Sequence, residues 1–150
     1  MGKWEPIFEE VRNNRPSKEK LFEYTFLPLE KLRIDIEKSS GQEVLVVAED
    51  RWSENYGMCL VVVQSGKVYV ADMEKYEPCT YCAESFEQFV NIAGTYWGVV
   101  GNGNDELDVS EACVEQEKRL REAIEEIDAT ALGGEDYFWS VIAEEVGYGI

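Results

Sequence analysis

The chain has 150 residues, 45% hydrophobic and 12% aromatic, with only 4 Pro and 12 Gly. A chain of this length buries about 70% of the surface it exposes when unfolded, so the composition describes one packed domain, residues 1–150, and excludes disordered, collagen-like and low-complexity architectures. Its 31 acids and 14 bases leave a formal charge of −17 with no histidine, which disfavours nucleic-acid and anionic-membrane binding and removes Ser-His-Asp and Cys-His chemistry.

Trp4, Ile7, Phe8 and Val11 recur at helical spacing and predict a short N-terminal helix, broken at Asn13-Asn14-Arg15-Pro16. Ser17 is placed to cap a second helical segment through Tyr24, which Leu27-Pro28 ends. Leu32, Ile34 and Ile36 alternate with Arg33 and Asp35 in the period of a half-exposed strand, although Leu29, Leu32 and Ile36 also fit a helix. Val44-Leu45-Val46-Val47-Ala48 is short, branched and continuous, as a buried strand is. The β-rich runs 56–63 and 67–72 flank Gln64-Ser65-Gly66, a hairpin signal that implies an antiparallel meander.

The second half is helical. Ser85 and Gln88 form a capping box ahead of an apolar stripe of Phe86, Phe89, Val90, Ala93, Tyr96 and Trp97. Gly98 to Asn104 is predicted to be a loop, and Gly101-Asn-Gly-Asn104 lacks the lysine a phosphate loop needs. Ser110 is placed to cap a longer helix to about Ile127, with Cys113, Leu120, Ala123, Ile124 and Ile127 inward. After Gly133-Gly134, Asp136 is placed to cap a last helix that turns Phe138, Trp139, Ile142 and Val146 inward and ends at Gly147. Strands followed by helices give an α+β fold, an antiparallel meander flanked by N-terminal and C-terminal helices.

Charge is divided unevenly along this order. Residues 1–83 hold 15 acids and 11 bases, whereas residues 84–150 hold 16 acids and 3 bases, and no Lys or Arg occurs from Tyr76 to Glu117. That division predicts an acidic face. The first residues, Met-Gly-Lys-Trp-Glu-Pro, show no secretory or myristoylation signal, and the longest apolar runs are too short to span a membrane. With Cys59, Cys79, Cys82 and Cys113 not arranged as a disulfide framework, the expected location is a reducing cytoplasm.

Cys79-Thr-Tyr-Cys82 is the one motif that names a chemistry. It admits a redox thiol, a zinc site shared with Cys59 and Cys113, or cysteines that merely pack; the strand-turn-helix context of a redox motif is missing, and only one pair has zinc-knuckle spacing. The acid pairs Glu49-Asp50, Asp105-Glu106 and Glu125-Glu126 read as solvated surface. Trp52 and Tyr56, set among Glu49, Asp50 and Glu54 between two strands, mark either a protein-binding hot spot or an aromatic folded back on the sheet. No catalytic constellation is legible, so the expectation is a binding protein without a cofactor.

Three stretches carry a family resemblance: Ala83-Glu-Ser-Phe-Glu-Gln-Phe-Val90, Ile127-Asp128-Ala-Thr-Ala-Leu132, and Phe138-Trp139-Ser140-Val-Ile142-Ala-Glu-Glu145 before Gly147. After a meander, these resemble the SUKH superfamily of Syd and Knr-type proteins, particularly its bacterial immunity branch. A Ser-Leu-x-x-Phe helix start and an Ile-Asp-Pro-x-Ala-Leu … Trp-Ser ending are common there; Phe86 replaces the Leu and Ala129 the Pro. The resemblance covers about residues 40 to 150. It implies an α+β domain that binds and neutralises a secreted toxin, often a nuclease or deaminase, and a Knr-type regulatory or scaffolding module is the alternative. A nuclease must be basic to hold its substrate, so an acidic inhibitor fits it. The residues expected to meet such a toxin are Glu49, Asp50, Trp52, Glu54 and Tyr56, with Glu115 and Glu122 on the acidic helix.

Overall fold

The computed structural model describes residues 2–54, 56–101 and 109–149. A seven-stranded antiparallel sheet carries four helices, the α+β architecture its sequence predicts. In chain order these are α1 (Glu5–Asn13), β1 (Lys20–Leu21), β2 (Tyr24–Phe26), β3 (Arg33–Ile36), β4 (Glu43–Arg51), β5 (Gly57–Val62), β6 (Val68–Asp72), β7 (Pro78–Ala83), α2 (Phe86–Gly101), α3 (Val109–Ile127) and α4 (Phe138–Tyr148). Strands β4 to β7 form the meander. The order is β1-β2-β4-β5-β6-β7, with β2 and β3 lying end to end along the same side of β4.

Strand β4 is the axis of the sheet. Val44 to Ala48 are all buried, so apolar contacts cover both of its faces. Leu45, Leu60, Val62, Val68, Val70 and Cys82 face the helices and pack on Phe86, Phe89, Ile92, Leu120, Ile124 and Trp139. Val44, Val46, Cys59, Val61, Ala71 and Met73 face the other way and are closed over by Leu27, Leu32 and Tyr76, with no helical residue among them. The β4–β5 register slips between Val46 and Ala48. The extra residue puts Val47 and Ala48 both in the helix-side core and carries the face of every later β4 residue with it.

Two expectations are corrected. Residues 17–24 form no helix: β1 and β2 make a hairpin whose turn holds Phe22 at φ 56°. That left-handed backbone is costly for a side chain of this size. Phe22 sits there because its ring lies 4.9 Å from Tyr96 and 6.4 Å from Trp139, a tertiary contact that outweighs the local helical pattern. Ahead of the capping box, Pro78–Ala83 form strand β7, an element the sequence does not announce. Helix α2 runs through Gly98 to Gly101 where a loop is predicted, and the rest of that loop and Asp105-Glu106 lie outside the described residues.

Helix limits shift by a residue or two. Ser110 falls inside α3 and Asp136 lies ahead of Tyr137, the residue at the cap position of α4; α4 passes Gly147 and ends on Gly149 at φ 78°. At α2 the cap is as predicted, since the Gln88 N–H donates to Ser85 Oγ at 3.2 Å.

Asp128 fastens the helical layer to the sheet. It is 4% exposed, and its carboxylate accepts from the Glu84 N–H at 2.7 Å, the Thr130 N–H at 3.0 Å and Thr130 Oγ1 at 2.5 Å. Thr130 Oγ1 also lies 2.6 Å from the Tyr81 hydroxyl on β7. The Ile-Asp-x-x-Ala-Leu motif is therefore a structural joint between the end of α3 and the start of α2. Asp128→Ala strands buried donors, and chemical denaturation should show a loss of about 3 kcal/mol.

Candidate functional site

The bulge at Val47 turns Glu49 onto the sheet face away from the helices, and the loop after β4 carries the exposed aromatics. Trp52 and Tyr56 are 67% and 59% exposed, so Trp52 does not fold back on the sheet. Their backbones close the hairpin: the Trp52 and Ser53 N–H groups both donate to the Tyr56 carbonyl, at 2.9 and 3.2 Å. The Arg51 guanidinium donates to the Glu54 carbonyl and stiffens the turn. Gly57 leaves it at φ 149°, where a Cβ would collide with the Asp50 carbonyl oxygen. The result is a braced tip with two aromatic rings in solvent.

Under the tip lies an ion-pair network. Arg33 reaches Glu49 at 2.6 Å and Asp35 at 2.8 Å, Arg51 reaches Glu49 at 2.8 Å, and Arg33 also donates to the Tyr76 hydroxyl at 3.2 Å. Glu49 is only 13% exposed at its side chain. Burial raises its pKa, but hydrogen bonds from Arg51 and Arg33 more than offset that and leave the carboxyl below its usual range. Glu49 thus holds the hairpin rather than offering a free charge. Arg33, Lys38 and Arg51 line an open cavity of about 580 Å³ with Asp35, Glu54 and Glu74.

Glu115 and Glu122 lie elsewhere, both exposed on α3. Glu115 pairs with Arg119 at 3.3 Å and Glu117 with Arg121 at 2.7 Å, so two of the bases of this half are engaged within the helix. The expected contact residues therefore divide into a hairpin set on the sheet and a pair on the helical layer. Because α2, α3 and α4 all pack on one sheet face, the 13 acids and 3 bases among the described residues after residue 83 belong to that layer and to the segments joining it.

The cysteines do not converge. Opposite β6, Pro78 pairs with Ala71, Thr80 with Val70, Tyr81 with Tyr69 and Ala83 with Val68, so Cys79 and Cys82 are each the extra residue of a bulge. Cys59 and Cys82 are buried in cores on opposite faces of the sheet. Among the described residues, no three Cys, Asp or Glu side chains gather where a metal ion would sit. Burial pushes the Cys59 thiol up to about 12 and also raises Cys82 well above the ordinary thiol range.

The sequence reading missed Arg33, Asp35 and Tyr76 as parts of the hairpin's foundation. Arg33 and Asp35 alternate with Ile34 and Ile36 along β3, and a strand of mixed charge beside a buried run is the available signal. Comparison with protein-family models, with curated proteins and with solved structures finds no match.

Two predictions follow from this geometry. A carboxyl whose folded pKa is depressed adds stability above its unfolded pKa and loses it as pH falls through the folded value. Glu49→Gln should therefore lower the melting temperature at neutral pH, and the gap from the parent should close in acid. A thiol titration of the native protein should find Cys79 reactive, with Cys59 and Cys82 reacting only after denaturant is added.

Proposed function

We propose that the chain is an inhibitor that binds a basic protein toxin, of the nuclease or deaminase class, and neutralises it by occlusion rather than by catalysis. The observation that carries this reading is the placing of the acidic part of the sequence on one layer: 13 acids against 3 bases among the described residues after residue 83, with helices on one side of the sheet. Charge of one sign concentrated on one layer speeds encounter with an opposite partner and makes it salt-sensitive. The motifs shared with the SUKH immunity branch support the same reading. They include the Asp128 joint between the end of α3 and the start of α2.

Within it, the two sets of residues have different tasks. Glu115 and Glu122 contribute to the field of the helical layer, while the exposed rings of Trp52 and Tyr56, beside Asp50 and Glu54, supply apolar area on a braced turn. Aromatic anchors of this kind carry a large share of interface energy.

The test is capture of the partner from the native cell, followed by rate measurements on the purified pair. Glu115→Lys combined with Glu122→Lys should slow association about tenfold and flatten its dependence on salt. Trp52→Ala should instead speed dissociation, at a cost of about 2 kcal/mol. Capture of no basic protein, or association rates unchanged by the charge reversals, overturns the proposal.

A further inference from the structure

The outer edge of β3 carries a self-complementary pattern. Strand β3 pairs with β4 alone, with Arg33 opposite Val46, Ile34 opposite Leu45, Asp35 opposite Val44 and Ile36 opposite Glu43. At the end of this ladder the Glu37 N–H donates to the Gln42 carbonyl at 2.8 Å. Backbone bonding alternates along an antiparallel pair, so Glu37, Asp35 and Arg33 bond to β4 while Ile34 and Ile36 stand at the positions between. The N–H and C=O groups of Ile34 and Ile36 therefore point away from β4, and among the described residues no backbone group meets them.

Their side chains are open as well, 37% exposed at Ile34 and 56% at Ile36. Natural edge strands are protected by proline, lysine, bulges or a covering element. Neither position has such protection. Helix α1 leaves a groove beside Ile34, lined by Trp4, Phe8 and Glu43, instead of covering the strand.

The sequence names the occupant. Around Ile34 it reads Glu30-Lys31-Leu32-Arg33-Ile34-Asp35-Ile36-Glu37-Lys38. Laid antiparallel on itself about Ile34, Arg33 meets Asp35 and Leu32 meets Ile36; the match ends there, since Leu29–Lys31 form a 3-10 turn and residues 38–40 turn away from the strand. Each charge finds its opposite, and each apolar residue finds an apolar one. The next register in phase, with Ile34 opposite Ile36, sets Asp35 against Asp35 and is disfavoured by like charge.

We propose that two copies of the chain join edge to edge through β3, antiparallel about a two-fold axis at Ile34, so that their sheets become continuous. At the axis the Ile34 N–H of each copy donates to the Ile34 carbonyl of the other. On either side the Ile36 N–H donates to the Leu32 carbonyl across the interface. The ladder stops there, because the Leu32 N–H is already held by the Leu29 carbonyl at 3.3 Å. On the face away from the helices, Arg33 and Asp35 of the two copies alternate around the axis, extending the pairing each already makes at 2.8 Å within its own chain. The charge of −17 on each copy opposes the union at low salt. At physiological ionic strength the Debye length is about 8 Å, which screens the distant helical acids and leaves contacts at strand spacing intact.

Sedimentation velocity of the full chain, over a wide concentration range at physiological ionic strength, tests this directly. The parent should pass from monomer to dimer, with association strengthened on going from low to moderate salt. Ile34→Lys places two lysines across the axis and should leave only monomer over the same range. Ile34→Pro should do the same by deleting the outward N–H while sparing the β4 ladder. Circular dichroism confirms the fold of each variant; if the proline variant does not fold, the lysine variant decides. A parent that stays monomeric at every concentration, or a dimer that persists unchanged in the Ile34 variants, overturns the proposal. It stands or falls apart from the inhibitor reading, since neither measurement involves a toxin.

Discussion

Five consecutive apolar residues of β4, Val44 to Ala48, are buried on both faces of the sheet, and the remaining architecture is arranged to keep water from them. The helix-side face is closed by α2, α3 and α4, whose inward residues include Phe89, Leu120, Ile124 and Trp139. The other face is closed by the sheet's own side chains and the return of the chain through Leu27 and Leu32. A strand buried on both sides cannot carry its polar residues in the middle, so Glu43 and the Glu49-Asp50-Arg51 run stand at its ends. The bulge at Val47 decides which face each of these takes. It delivers Glu49 to Arg33 and Arg51, and so braces an exposed turn that bears two aromatic rings.

The same layering divides the charge. Most bases of the chain lie in residues 1–83, and several of them, Arg33, Lys38 and Arg51, line a cavity on the side of the sheet away from the helices. The described acids of residues 84–101 and 109–149 belong to the helices and their connections, with Arg119 and Arg121 of α3 taken up in pairs along that helix. Charge asymmetry in the sequence is thereby converted into charge asymmetry in space, because the helices follow the strands in the chain and pack on a single face. On the proposed inhibitor reading, this is the property that would speed an encounter with a basic partner.

The parts of the fold visible in the sequence are those set by local pattern. Unbroken branched runs at 44–48 and 56–63, the Gln64-Ser65-Gly66 turn and the Ser85–Gln88 cap each act over a few residues, and each is found where its pattern lies. What escaped is set by contacts distant in sequence. Phe22 takes a left-handed turn because of rings more than seventy residues away, at Tyr96 and Trp139. Strand β7 holds two cysteines and a proline, poor strand signals, and is drawn into the sheet by its pairing with β6. The exposure of Trp52 and Tyr56 was open in the sequence and is decided by hairpin closure. The role of Glu49 was not legible at all, since it depends on Arg33 from another strand.

Hydrogen exchange of the chain, free and bound to the basic protein captured from its native cell, tests the central claim most directly. If the acidic helical layer is the recognition surface, protection on binding falls on the solvent-facing turns of α3 and α4 and on the Trp52–Tyr56 turn. Protection confined to β1, β2 and β3, with α3 and α4 exchanging as in the free chain, contradicts it.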